Sequence, residues 1–196
     1  MIGRYNLEFL PPLHLGVANA WLLLAVYFIG LTASALAFPE DKRKKLFLEP
    51  HYPRRHPRWV IIGIGRIAAI AYVALTLFSP LRLGTVHAYI GIAIYLIGYA
   101  VVMISLQNYR QTPTNKLVTS GLYRFSRNPQ WLGLVGVFVG TALAIGGWLH
   151  FLLLFVLASA YHFQILLEEE ICRSMYGVSY NDYMERIPRY LSIKIL

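Results

Sequence analysis

The sequence predicts an all-α, polytopic membrane helix bundle of about five transmembrane helices. Three observations predict it. Of 196 residues, 57% are hydrophobic and 14% charged, with a mean hydropathy of +0.52, whereas about a quarter of the residues of an average soluble domain are charged. Apolar runs of near-spanning length recur along the chain, separated by polar connections. Lys and Arg gather in alternate connections, which the positive-inside rule assigns to the cytoplasm.

Residues 1–16 carry Pro11 and Pro12 and form a lead without a small-residue cleavage site, so the first apolar run is expected to stay as a span. That run, Val17 to Phe38, is uncharged and long enough at about 1.5 Å per residue to cross about 30 Å of hydrocarbon. Residues 39–58 hold Lys42, Arg43, Lys44, Lys45, Arg54, Arg55 and Arg58 among four prolines, a cytoplasmic loop suited to anionic headgroups. Span two, Trp59 to Phe78, contains Arg66, which either snorkels to the interface or faces the protein interior. Ser79 to Thr85 is a tight outer turn, and span three runs from Val86 to Leu106 with His87 at its outer end as a hydrogen-bonded interfacial residue. Gln107 to Asn128 is a long polar connection with Arg110, Lys116, Arg124 and Arg127. Spans four (Gln130 to Ile145) and five (Trp148 to Leu167) are joined by Gly146-Gly147, a turn short enough to force an antiparallel hairpin. The polar tail holds Arg173, Arg186, Arg189 and Lys194, which puts the N-terminus outside and the C-terminus in the cytoplasm.

Cys172 is the only cysteine, which excludes an intrachain disulfide or a cysteine-based zinc site, and no metal is expected. The net charge of +9 lies beside apolar spans, so an anionic lipid surface accounts for it and nucleic acid does not.

Two polar stretches are costly to hold at a membrane face, and together they form a candidate site. The first is Leu-Val-Thr-Ser-Gly-Leu-Tyr-Arg-Phe-Ser-Arg-Asn-Pro-Gln-Trp, residues 117–131. Pro129 suits the first turn of span four, and Asn128 suits its N-cap. The N–H groups of that turn are natural donors to an anion. Gly121 permits a tight turn or the close approach of a ligand, and Arg127 adds a positive charge. The second stretch is Glu168-Glu169-Glu170. Successive helical residues point about 100° apart, so at most two of these acids face one cavity and at least one faces solvent. Acids do little for orientation; at this depth they suit a cationic ligand or a substrate proton. Tyr123, Trp131, Tyr176, Tyr180 and Tyr183 offer aromatic faces for a cation or a purine. The set describes a pocket for a zwitterionic ligand carrying one cation, a description that S-adenosylmethionine meets without being singled out by it.

These motifs carry a resemblance. Leu-Val-Thr-Ser-Gly-Leu-Tyr, Arg-Asn-Pro-Gln-Trp at 127–131, Glu168-Glu169, Tyr176-Gly177, Tyr180 and Tyr183 resemble the isoprenylcysteine carboxyl methyltransferase and phospholipid N-methyltransferase superfamily over roughly residues 108–190. The resemblance implies an integral-membrane methyltransferase with S-adenosylmethionine in a cytoplasmic-face pocket. It implies cofactor contacts at Asn108, Asn115, Lys116, Leu117, Val118, Tyr123, Asn128, Pro129, Gln130 and Trp131, with Gly121 in the same loop. Glu168 and Glu169 become the acidic pair, with Arg127 as a fixed charge. Two departures bear on the acceptor. Asn128-Pro129 stands where the carboxyl methyltransferases have His-Pro, and Gln164 stands where they carry an arginine one turn before the first glutamate. Without that charge-assisted partner a prenylcysteine carboxylate is disfavoured, and Gln164 with Glu168 is expected to meet a phospholipid amine or related lipid entering from the bilayer.

The expected organisation is a single membrane domain, with spans and basic loop in 1–106 and the cofactor-binding core in 107–196. An NADPH-dependent reductase of the sterol type shares a similar Gly and Asn-Pro pattern, but such chains are usually longer. A non-catalytic scaffold or transporter explains the spans and leaves the gathered acids unexplained.

Overall fold

The computed structural model describes residues 7–40, 42–43, 58–113 and 116–191. Within them the apolar runs form α1 (Trp21–Leu36), α2 (Arg58–Phe78), α3 (Val86–Gln111), α4 (Pro129–Ile145) and α5 (Trp148–Tyr176). A 3-10 turn (Gly121–Arg124) precedes α4, a short α6 (Val178–Arg186) follows α5, and no strand occurs among the described residues.

All five expected spans are helical; spans two and four keep their expected bounds to within one residue, whereas α1 is shorter and α3 and α5 are longer than expected. α2, α3 and α5 are long and apolar enough to cross a membrane, whereas α1 and α4 are shorter apolar helices of 16 and 17 residues. α1 starts later than Val17 because the residues before it are held by the turn between α2 and α3: Ala20 N–H donates to the Ser79 carbonyl at 2.9 Å, and Leu81 N–H to the Ala18 carbonyl at 3.0 Å. α4 stops at Gly146, whose φ of 73° lies in the left-handed region that glycine adopts freely. α5 departs the other way. Its 29 residues reach about 44 Å, so the three glutamates lie within the helix instead of ending it.

Small residues set the packing. A Cβ on Gly98 of α3 would lie 2.6 Å from the Gly133 carbonyl oxygen and the Val137 nitrogen of α4, and one on Gly91 would lie 2.6 Å from the Gly140 carbonyl oxygen. The two backbones touch in antiparallel register, the close approach that holds helices together where burial from lipid gives little drive. α2 lies antiparallel on α5, with Gly65 against Ala160 and Tyr72 against Phe138, His150, Leu154 and Leu157. The Gly146-Gly147 hairpin forms, yet α4 and α5 each pack mainly on another helix, α3 and α2 respectively. Large side chains fill the space between them, including Trp131 against Tyr161 with ring centroids 4.5 Å apart. α1 rests on α3, where the Tyr95 hydroxyl donates to the Leu23 carbonyl at 2.7 Å.

These pairings sort the connections onto two faces. One collects the ends of α1 and α3, the start of α4 and the last turns of α5, and with them Lys42, Arg110, Lys116, Arg124, Arg127, Arg173 and Arg189. Lys42 donates to the Arg110 and Thr112 carbonyls there; Lys44, Lys45, Arg54 and Arg55 of the basic loop lie outside the described residues. Arg66 is exposed on α2. The opposite face carries the N-terminal segment, which is bound to the molecule: Glu8 pairs with Arg82 at 2.5 Å, and its backbone bonds Gly146 and Trp148 at 3.0 and 2.8 Å. His87 there is hydrogen-bonded as expected, its Nδ1 being 2.9 Å from the Leu143 carbonyl.

Candidate active site

The polar connection after α3 is folded back by one side chain. Asn108 accepts the Leu122 N–H at 3.0 Å, which fixes the 3-10 turn against the end of α3. Gly121 is required there: its φ is +59°, and any Cβ would run into the Asn108 amide. The turn presents Tyr123, whose carbonyl accepts the Tyr183 hydroxyl at 2.7 Å. Burial pushes the Tyr123 phenol well above its ordinary range, and the neighbouring Tyr183, Tyr109 and Glu168 add to the effect. Tyr123 and Glu168 therefore share one electrostatic neighbourhood. Burial likewise pushes the Tyr183 hydroxyl up to about 12 despite Arg127 nearby. Lys116 is exposed, Leu117 and Val118 are half-buried, and Asn115 lies outside the described residues.

Pro129 occupies the first turn of α4, as expected, and is buried. Asn128 occupies the N-cap position but makes no side-chain cap. The reason is tertiary: its amide donates to the Arg189 carbonyl at 3.2 Å, and its own N–H goes to Ser126 Oγ at 3.1 Å. The first turn of α4 is thus left without the usual side-chain acceptor. Gln130 and Trp131 follow, both partly exposed.

The three glutamates have three environments. Glu170 is exposed, as the 100° step requires. Glu168 is held by two neutral donors, Trp131 Nε1 at 3.3 Å and Gln164 Nε2 at 3.1 Å. Glu169 is 4% exposed and gripped by two guanidinium groups: Arg127 at 3.1 Å and Arg189 at 2.8 Å, with Arg189 Nε 3.1 Å from both carboxylate oxygens. The hydrogen bonds to Glu169 hold the Arg189 guanidinium further above its ordinary range.

The fold thus brings Gln164, Glu168 and Trp131 into direct contact and ties Asn108 to Gly121 and the 3-10 turn that carries Tyr123. It separates Glu169 and Arg127 from that group by engaging them with each other. Tyr176 is partly exposed, while Tyr180 and Tyr183 are buried against one another. Two participants escaped sequence reasoning. Tyr161 packs against Trp131 with the rings tilted by 42°; its spacing to Gln164 and Glu168, three and seven residues on, places all three on one helical face and is the signal that finds it. Arg189 has no such local signal.

Residues 86–179 match the model of the phospholipid methyltransferase family. The match spans just under half of the chain and marks what this segment is similar to. It covers α3, the folded connection, α4, α5 and the junction with α6, and so contains Asn108, Tyr123, Trp131, Gln164 and Glu168. The chain matches no curated protein. The match accords with the three described helices that are long and apolar enough to cross a membrane.

Proposed function

We propose that the chain transfers the methyl group of S-adenosylmethionine to a lipid acceptor, preferentially an amine, that enters from the bilayer. The observation that carries this reading is Glu168, a carboxylate held by neutral donors against the Trp131 and Tyr161 rings, inside the family-matched segment. Among the described residues no cation pairs with it.

The residues present fit the cofactor. The first turn of α4 lacks a side-chain cap and suits a carboxylate. The aromatic faces of Trp131 and Tyr123 suit a sulfonium or an adenine. When bound, S-adenosylmethionine supplies an electrophilic methyl group. Asn108 and Gly121 hold the loop that carries Tyr123, so orientation is set before the acceptor arrives. Trp131 and Tyr161 keep water from the reacting centre. Glu168 takes the proton from an ammonium acceptor, freeing its lone pair. Gln164 in place of an arginine leaves no second charge for an acceptor carboxylate, which favours the amine. The basic face supports a cytoplasmic site.

Purified protein is expected to melt at higher temperature with S-adenosylmethionine and not with NADPH. Stabilisation by NADPH alone makes it a reductase. Membranes incubated with labelled cofactor are expected to yield a labelled phospholipid by mass spectrometry; label only on prenylcysteine carboxylates overturns the amine assignment.

A further inference from the structure

We infer that Arg189, which lies beyond the matched family segment, is a positioning residue for the cofactor site; the inference rests on the function proposed above. Its side chain and its main chain both bind residues tied to the α4 start. The guanidinium closes on both oxygens of buried Glu169, whose other cation, Arg127, has a side chain only 9% exposed. The Arg189 carbonyl meanwhile accepts from Ser126 Oγ at 3.1 Å and from the Asn128 amide at 3.2 Å. The preceding Pro188 carbonyl takes the Arg127 N–H at 3.0 Å.

Two consequences bear on the reaction. An asparagine at an N-cap ordinarily accepts from the first-turn N–H groups of its own helix. Here its amide is committed to the tail, which leaves those donors for a ligand carboxylate. The two guanidinium groups and one carboxylate also sum to a single positive charge beside the same helix start, which adds to the attraction for an anion. Arg189 touches neither acceptor nor methyl group in this scheme. It sets cofactor affinity and leaves the chemistry to Glu168.

The test uses the full-length protein in lipid nanodiscs, with S-adenosylmethionine titrated into wild type, Arg189→Ala, Arg189→Lys and Glu169→Gln. Arg189→Ala is expected to weaken binding about tenfold while kcat at saturating cofactor stays within about twofold of wild type. Arg189→Lys recovers part of the affinity, because the charge remains while the bidentate grip does not. Without cofactor, the melting-temperature losses of Arg189→Ala and Glu169→Gln are expected to be non-additive in the double variant. Should Arg189→Ala fail to fold, the Arg189→Lys titration carries the same comparison. An unchanged dissociation constant in the variants, or a fall in kcat at unchanged affinity, overturns the inference alone; wild-type protein that binds no S-adenosylmethionine overturns the proposed function.

Discussion

Adjacent glutamates with opposite duties are the central residue-scale feature. Glu169 pairs with two guanidinium groups in a buried setting, so Glu169→Gln leaves both without that anion and is expected to cost about 3 kcal/mol, read as a lower melting temperature in the absence of any ligand. Glu168 has only neutral partners, so Glu168→Gln is expected to abolish methyl transfer while the melting temperature holds; wild-type turnover in that variant removes the proton-accepting role. The run of three acids was legible in the sequence as a candidate site, and so was the need for at least one of them to face solvent. That Glu169 is the member gripped by two guanidinium groups was not, because that depends on Arg189, a residue from a tail brought in by tertiary packing. Tyr183 gives a pH prediction. Its hydroxyl is pushed up to about 12 by burial from an unfolded value near 10, so its contribution is whole below pH 10 and fades as pH rises toward 12. Tyr183→Phe is expected to cost about 1 kcal/mol at neutral pH through the lost bond to the Tyr123 carbonyl and to flatten alkaline unfolding; an unchanged alkaline slope counts against that assignment.

Among the elements, the α3–α4 pair has the least room for change. Gly98→Leu forces a side chain into the α4 backbone and is expected to cost about 2 kcal/mol or more, with loss of cofactor binding because Asn108 and Trp131 lie on the two helices being separated. Gly63→Leu on α2, where a Cβ meets nothing within 4 Å, is the control expected to be silent in the same thermal and binding assays. Hydropathy located the five apolar helices and missed the polar α6, and two kinds of boundary lay beyond its reach. α1 lost its first residues to backbone bonds with a turn about sixty residues away, and α5 ran on through its glutamates because charge does not end a helix when its end leaves the hydrocarbon. The Gly146-Gly147 turn correctly announced a hairpin; the helices' preference for other partners is a matter of which faces carry glycine, and that emerges only when α3 and α4 are set side by side.

At the scale of the whole molecule, the described connections divide into a basic face with the candidate site and an opposite face holding the N-terminal segment. With Cys172 replaced by serine, single cysteines at Leu83 and at Glu185 are therefore expected to react with an impermeant maleimide from opposite sides of sealed vesicles, Glu185 from the cytoplasmic side. Labelling of both from one side contradicts the arrangement. The α4–α5 hairpin is fastened at its glycine turn by residues near Glu8 and at its open end by residues near Arg189. During synthesis the first fastening is available early, whereas the second emerges only after every helix has left the ribosome. Assembly of the described helices and completion of the candidate site are thereby expected to be separate events, and a chain stopped after Arg186 is expected to keep its helix pairings while the candidate site lacks the Arg189 contacts.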